Sequence, residues 1–322
     1  MNISLSNPRG FCAGVRMAIE IVDELLDAMG NEQLYVYHEI VHNKHVVERL
    51  TSRGAIFVDY IADIPESAVV VFSAHGVSPQ IKQEAIERSL TCIDATCPLV
   101  TKVHAEAIRY AKRGWQIILI GHKNHQEVIG TQGEAPDAIQ IVETLKDIST
   151  LNIIDATKLV YLTQTTLSTD DAEVIIHALR DSFPEIHSPP GDDICYATTN
   201  RQNAVRDEAS DVDLVLVVGS ANSSNSLRLT EIAKTAGTPS YLIDDVTKLQ
   251  SEWFDNVDSV LLTAGASAPE NLVQEIIQEL TDTFDGSLEE NTIVDEGMFF
   301  SPPPTLHHYL QNRDVTIEGD TQ

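Results

Sequence analysis

The chain has few basic side chains for its length. Its 322 residues include 21 Lys and Arg against 49 Asp and Glu, which gives a formal net charge of −28. Nucleic-acid phosphates and anionic membrane surfaces are bound through basic faces. The charge balance therefore predicts that neither nucleic acid nor a membrane surface is a partner.

Long apolar runs are also lacking. The first ten residues hold no basic segment followed by an apolar stretch, as a signal peptide would require. No run approaches the roughly 20 apolar residues of a membrane span. The four cysteines are too widely spaced to resemble a secreted disulfide framework. A reducing cytoplasm is the predicted location.

Neither a Walker A loop nor a G-x-G-x-x-G loop occurs, so nucleotide binding is not indicated. Instead, short apolar runs rich in β-branched residues alternate with helix-like patterns, which is typical of an α/β fold with parallel sheets. The predicted strands are 3–5, 34–37, 68–72, 116–120, 158–162, 213–218 and 259–262. The predicted helices include 15–26, 171–181 and 272–280.

Polar clusters follow five of these predicted strands, at 73–76, 121–127, 163–166, 219–226 and 263–267. In open parallel sheets, ligands bind outside the carboxyl ends of the strands. Several similar units that face one shared site would explain the pattern. We therefore predict a pseudo-repeat of about three α/β units, each of roughly 100 residues.

Three of the four cysteines lie at turns that precede helix-like runs. Cys12, Cys97 and Cys195 occupy these junctions, whereas Cys92 lies inside the strand-like run 90–93 and is predicted to be a core thiol. A thiol that only fills space is normally buried in a core. At a helix start the backbone dipole favours the thiolate that binds metal. We predict that these three thiolates meet around one metal cluster.

The number of ligands bears on what such a cluster does. The separations are too long for zinc-finger or ferredoxin spacings. Three thiolates on a four-iron cluster leave one iron open, and an open iron can polarise a substrate oxygen and pass electrons to it. This favours a catalyst, but an iron–sulfur electron carrier or sensor without substrate chemistry remains an alternative.

Residues 38–42 match the H-E-x-x-H pattern of zinc proteases, with His38, Glu39 and His42 in the ligand and base positions. That chemistry requires a helix, so that both histidines face one way. Here the pattern directly follows the predicted strand 34–37. A zinc hydrolase is therefore a second alternative, and a structural His38 with His42 as a loop donor is the favoured interpretation.

The strand-end clusters contain hydrogen-bond donors that suit an anion. His75, His125 and the run Ser223–Asn225 would each be ordinary turn or capping residues if taken alone. Together, and with helix N-termini, they can bind an anion without many cations. We predict an anion site here.

Glu127 follows His125 by two residues. A Glu at this point is commonly a first-turn carboxylate favoured by the helix dipole. In a closed pocket beside an anion it would instead stay protonated and act as an acid, with Thr165 and Thr166 to orient or relay the proton. The residues alone leave both roles open.

The motifs taken together resemble the 4-hydroxy-3-methylbut-2-enyl diphosphate reductases, the last enzymes of the non-mevalonate isoprenoid pathway. The resemblance extends to about Leu280 and rests on ordered stretches at 7–14, 38–43, 73–77, 94–100, 163–167, 193–202, 219–226 and 264–269.

The resemblance implies a fold, a cofactor and a reaction. It implies three α/β units around a central 4Fe-4S cluster held by Cys12, Cys97 and Cys195. It implies Glu127 as proton donor, with Thr165 beside the substrate hydroxyl. The allylic hydroxyl leaves as water, with two electrons and two protons, to give isopentenyl and dimethylallyl diphosphate. The implied diphosphate ligands are His42, His75, His125, Ser223, Ser224, Asn225 and Ser267.

The resemblance also implies that the N-terminal segment packs into the last unit. The predicted units are 14–97, 98–193, and 1–13 together with 194–284. Residues 285–322 are predicted to be a surface tail without chemistry, because the Pro-rich stretch 301–304 interrupts regular structure. The implied electron donor is ferredoxin or flavodoxin, for which Lys102, Lys112 and Arg113 are candidate docking residues.

Overall fold

A computed structural model of the chain describes residues 1–292 and 294–319, with side chains as far as Arg313. The described residues form twelve strands in three sheets, and all neighbouring strands in these sheets are parallel. The strands are β1 (Asn2–Asn7), β2 (Leu34–Tyr37), β3 (Ala55–Val58), β4 (Val69–Phe72), β5 (Thr91–Asp94), β6 (Gln116–Ile120), β7 (Ile139–Val142), β8 (Leu159–Thr163), β9 (Leu214–Val218), β10 (Ser240–Ile243), β11 (Ser259–Ala264) and β12 (Ser287–Thr292).

Eleven α-helices connect or cover these strands in the described part of the chain. They are α1 (Ala13–Met29), α2 (Lys44–Ser52), α3 (Pro79–Glu87), α4 (Pro98–Lys112), α5 (Gln126–Glu134), α6 (Leu145–Ile148), α7 (Thr169–Ser182), α8 (Tyr196–Glu208), α9 (Ser224–Thr235), α10 (Glu270–Phe284) and α11 (Pro304–Gly319). Within the described ranges, no helix combines the length and apolar character needed to cross a membrane.

The first sheet has the strand order β3-β2-β4-β5, the second β7-β6-β8 and the third β10-β9-β11-β1-β12. The predicted α/β class with three units is confirmed. Each sheet draws its strands from a separate stretch, except that β1 inserts between β11 and β12. The implied packing of the N-terminal segment into the last unit is thus present, while the unit boundaries stay predictions.

All seven predicted strands are present, and the strand-like run 90–93 corresponds to β5, whereas β3, β7, β10 and β12 were not predicted. The predicted interior strands are continuous apolar runs, buried on both faces by helices. Strands β3, β7 and β10 were not predicted; each has four residues, lies at a sheet edge and is partly exposed. An edge strand buries less surface, so its apolar signal is weaker.

The prediction that the C-terminal segment is a surface tail without regular structure is wrong. Strand β12 is polar, yet its backbone pairs with β1 along six residues. In α11, the Leu306 side chain is 2% exposed and joins the apolar cluster that contains Leu25 of α1 and Ile93 of β5. Tyr309 and Leu310 of the same helix pack against this cluster and are partly buried, so Leu306 is the most deeply buried of three apolar contacts. The polar, Pro-rich composition of the segment therefore gave no indication that it forms a strand and a docked helix.

We expect Leu306→Ala to lower the free energy of unfolding by about 3 kcal/mol, because it removes a fully buried aliphatic side chain and leaves a cavity. Urea unfolding measures the change. His308→Ala, on the exposed side of the same helix, is the matched control and should be nearly neutral. Equal stability of Leu306→Ala and the parent protein would contradict the docked C-terminal segment.

Candidate active site

One cavity collects the polar strand ends. Loops after β1, β2, β4, β5, β6, β8, β9 and β11 reach it from all three sheets. All twelve predicted site residues line it: Cys12, His42, His75, Cys97, His125, Glu127, Thr165, Cys195, Ser223, Ser224, Asn225 and Ser267. The structure thus brings together residues that are far apart in sequence, while their individual roles remain predictions.

Size alone does not identify this site. The cavity has a volume of 100 Å³, whereas a groove of 790 Å³ lies between α1, α2 and α10. The larger groove is lined by mixed surface charges and apolar side chains and holds none of the cysteines. We assign the site to the smaller cavity because the convergent titratable groups lie there.

The three cysteines each occupy the N-cap of a helix: Cys12 of α1, Cys97 of α4 and Cys195 of α8. Close packing leaves little room between two of these turns, since a Cβ on Gly14 would lie 2.6 Å from Cys97 Sγ. This explains a glycine at the second position of α1. The predicted helix-start location of the thiols is confirmed.

The expected lowering of the thiol pKa is wrong for Cys97 and Cys195 in the protein by itself. Burial raises the pKa of Cys97 to about 12, and the neighbouring Cys12 adds to the shift. Burial likewise raises the pKa of Cys195 to about 11, again with Cys12 as the next cause. Hydrogen bonds to sulfur at the helix starts act in the opposite direction but are weaker. The thiolates would need a bound cationic centre to compensate burial.

The arrangement does not suit a single metal ion. Within the described residues, no group of three His, Cys, Asp or Glu side chains could hold one ion. Three partly buried thiols that line one cavity, at three helix N-termini, suit a larger group with several metal atoms. The cysteine side of the cavity therefore fits a polynuclear thiolate-bound cofactor better than zinc.

The zinc-hydrolase alternative fails on local geometry. Residues 38–42 form a bend between β2 and α2, and His38 has a positive φ of 58°. His38 bonds Asp59 and does not line the cavity. Glu39 instead accepts a hydrogen bond from Asn222 at 2.7 Å and lies 3.0 Å from His42 Nδ1. Glu39 therefore contacts the His42 ring instead of taking the base position of a zinc site.

Three imidazoles lie together in the cavity that the cysteines also line. The rings of His42 and His75 stack with centroids 4.0 Å apart, and His125 meets both edge-on at 5.4 and 5.8 Å. Burial and neighbouring imidazoles lower the pKa of His125 to about 3 and that of His75 well below its usual value. The His125 Nδ1 atom accepts from the Glu127 amide, which leaves Nε2 to carry the ring proton.

The third sheet contributes donors at the N-terminus of α9. Ser223 caps this helix, and Ser267 donates to the His42 carbonyl at 2.9 Å. Asn225 holds the loop after β11 by accepting from the Ala266 amide, while its Nδ2 is buried without a partner. An unpaired buried amide at a helix N-terminus is well placed to bind an anion.

A glycine pair permits this close approach of α9. A Cβ on either Gly219 or Gly265 would overlap the Ser226 hydroxyl, which packs between the ends of β9 and β11. Ser226 itself donates to Ser223 Oγ at 3.0 Å. The two glycines therefore let the start of α9 lie directly on the sheet.

Glu127 lies between the imidazoles and the cysteines. It is 2% exposed, and both its oxygens accept from Thr165: Oε1 from the amide at 2.6 Å and Oε2 from the hydroxyl at 2.9 Å. Burial raises the pKa of Glu127 to about 7, and the bonds from Thr165 only partly oppose the shift. The first-turn position is thus combined with a carboxyl group that can carry a proton at neutral pH.

Helix α8 holds three buried polar residues that the sequence did not mark as functional. Thr198 Oγ1 lies 3.1 Å from Cys195 Sγ. Arg201 bonds the turn before Cys12, and Gln202 donates to the Leu167 carbonyl near Thr165. The available signal was a helix without an apolar face, which needs hydrogen-bond partners if it is buried.

Known proteins resemble this chain in both sequence and structure. The family model described as LytB protein matches residues 3–281. The 4-hydroxy-3-methylbut-2-enyl diphosphate reductase of Rhodopirellula baltica is 53% identical over 309 residues, which cover 96% of this chain and 97% of the relative. The structure of the E-1-hydroxy-2-methyl-but-2-enyl-4-diphosphate reductase from Plasmodium falciparum has a TM-score of 0.94 at 42% identity, over 97% of this chain and 99% of that chain.

A second solved structure is described as (E)-4-hydroxy-3-methyl-but-2-enyl diphosphate reductase, the terminal enzyme of the non-mevalonate pathway. It matches with a TM-score of 0.63 and 31% identity, over 88% of this chain and 100% of that chain. The family match spans the strands and helices that build the cavity. The chain therefore belongs to the LytB protein family of 4-hydroxy-3-methylbut-2-enyl diphosphate reductases.

Proposed function

We propose that the protein reduces 4-hydroxy-3-methylbut-2-enyl diphosphate, removing its allylic hydroxyl as water to give isopentenyl and dimethylallyl diphosphate. The observation that carries this proposal is one cavity lined by three thiols, a buried acid and a set of anion donors. An electron carrier or sensor would need the thiols but would leave the His, Ser and Asn donors without a purpose.

Cys12, Cys97 and Cys195 would hold an iron–sulfur cluster, proposed as 4Fe-4S with one iron free of protein ligands. When bound, such a cluster supplies single electrons and a Lewis-acidic iron. The raised pKa values of Cys97 and Cys195 support a ligand role, because these two thiols ionise at neutral pH only beside positive charge.

The substrate diphosphate is proposed to bind among His42, His75, His125, Ser223, Ser224, Asn225 and Ser267. The unpaired Asn225 amide and the N-terminus of α9 supply donors that need no net charge. The neutral imidazoles can gain protons as the anion arrives, because a negative ligand raises their pKa. Charge is therefore balanced locally in a chain of net −28.

Glu127 is proposed to hold the proton that the departing hydroxyl needs. With its pKa near 7, a large share of Glu127 is protonated at neutral pH. The Thr165 hydroxyl, 2.9 Å from Glu127 Oε2, can pass a proton onward to the substrate oxygen. Burial excludes competing water from this pair.

The electrons must come from a separate donor, proposed as ferredoxin or flavodoxin. The candidate docking residues do not form one patch beside the cysteines. Lys102 bonds the Gly191 and Asp192 carbonyls and pairs with Asp193. Lys112 ends the 15-residue helix that begins after Cys97, roughly 20 Å along its axis. Docking at these cations remains a prediction, as does the cytoplasmic location.

We expect Glu127→Gln to lower kcat by about 100-fold or more, because the amide cannot donate a carboxyl proton. Cluster content and substrate affinity should stay near those of the parent protein. Steady-state turnover with a reduced viologen dye measures the change without a protein donor. Glu173→Gln, an exposed control, should leave kcat unchanged. Near-parental turnover of Glu127→Gln would remove Glu127 from the mechanism.

The acid role also sets a pH dependence. The protonated fraction of Glu127 falls as pH rises through about 7, so kcat should fall above that pH. The rate constant of single-turnover reactions, recorded as a function of pH, measures this dependence. In Glu127→Gln, the residual rate should no longer fall as the pH rises through about 7. If the rate falls at the same pH in the parent and in Glu127→Gln, the titrating group is a residue other than Glu127.

Diphosphate binding should take up protons, since burial lowers the pKa values of His75 and His125 and a bound anion would raise them again. Affinity for inorganic diphosphate should therefore be higher at about pH 6 than at about pH 8. Calorimetry in buffers of different ionisation enthalpy counts the protons. His125→Gln should reduce the uptake; an unchanged count in that variant would contradict the role of His125.

A further inference from the structure

Arg201 is the largest fully buried side chain among the described residues, at 1% exposure. A buried guanidinium is costly unless its charge is paired and its donors are satisfied. Arg201 lies on α8, which begins at Cys195. Its environment therefore matters to the cysteine centre even though it does not line the cavity.

The Arg201 guanidinium connects two cysteine turns. Nη2 donates to the Gly10 carbonyl at 2.8 Å, two residues before Cys12. Nη1 donates to the Ala197 carbonyl at 2.9 Å, two residues after Cys195. One side chain thus fixes the distance between the N-caps of α1 and α8.

The counter-charge comes from the C-terminal segment. Glu296 Oε1 accepts from Arg201 Nη1 at 2.9 Å and from Asn200 Nδ2 at 3.2 Å. Glu296 lies outside the stretch matched by the family model, which ends at residue 281. Its carboxylate side chain is 14% exposed, while the adjacent Asp295 and Gly297 are exposed. The segment thus turns one acidic side chain inward.

We propose that Glu296 is a positioning residue for the cysteine centre, acting through Arg201 to hold the Cys12 turn against the start of α8. The inference rests on the proposed function, because it assumes that Cys12 and Cys195 ligate one cofactor. Without the carboxylate, the Arg201 charge is buried and unpaired. Water or rearrangement must then compensate it, which loosens both cysteine turns.

The test is the rate of iron loss. The full chain is reconstituted anaerobically with ferrous iron and sulfide, and iron release to a chelator is followed for the parent and for Glu296→Gln. We expect release to be about 10- to 100-fold faster in Glu296→Gln, the usual effect of removing an outer support of metal ligands. Glu289→Gln, an exposed Glu in β12, should match the parent.

A second control separates positioning from general docking of the segment. Leu306→Ala weakens the docked α11 without touching Arg201, so its iron release should stay near that of the parent. Equal acceleration in Leu306→Ala and Glu296→Gln would overturn the inference, as would a parental rate in Glu296→Gln. Glu296→Asp keeps the charge at shorter reach and should release iron more slowly than Glu296→Gln.

Glu296→Asp also carries the test if Glu296→Gln does not fold. In that case, a parental rate of iron release in Glu296→Asp would show that Glu296 serves folding alone. Failure of the parent protein to take up iron and sulfide is a different result. It would contradict the proposed cofactor, and the inference would fall with it.

Discussion

The parallel direction of the strands is the constraint on which the rest of this structure depends. A parallel strand delivers its carboxyl end to the same edge as its neighbours. Here three sheets turn those edges toward one cavity, and three helices begin there with a cysteine at the N-cap. Residues as distant in sequence as Cys12 and Ser267 are thus neighbours because of strand direction.

Burial then sets the protonation of the site. It raises the pKa values of Glu127, Cys97 and Cys195 and lowers those of His75 and His125. All five groups are driven toward their neutral forms. A cationic centre on one side and an anionic ligand on the other would each reverse the local shift. The neutral state of these groups supports the proposal that a cationic cluster and an anionic diphosphate bind in this cavity.

Much of this was readable from the sequence, and the omissions have physical reasons. Apolar runs revealed the interior strands, and polar residues after them revealed the cavity, because both signals are local. Edge strands such as β10 and the polar β12 are held by backbone pairing that leaves little trace in side-chain pattern. The sign of the Cys97 pKa shift depends on burial by distant segments. Arg201 and Glu296 pair across 95 residues, which no local pattern records.

The most direct test of the central claim is iron and sulfide per chain after anaerobic purification, with the visible spectrum taken before and after the allylic diphosphate is added. The account predicts about four iron and four sulfide per chain, with a spectrum that the substrate perturbs. A cluster whose spectrum ignores the diphosphate would contradict the shared cavity. Zinc without sulfide would contradict the thiolate-bound cluster itself.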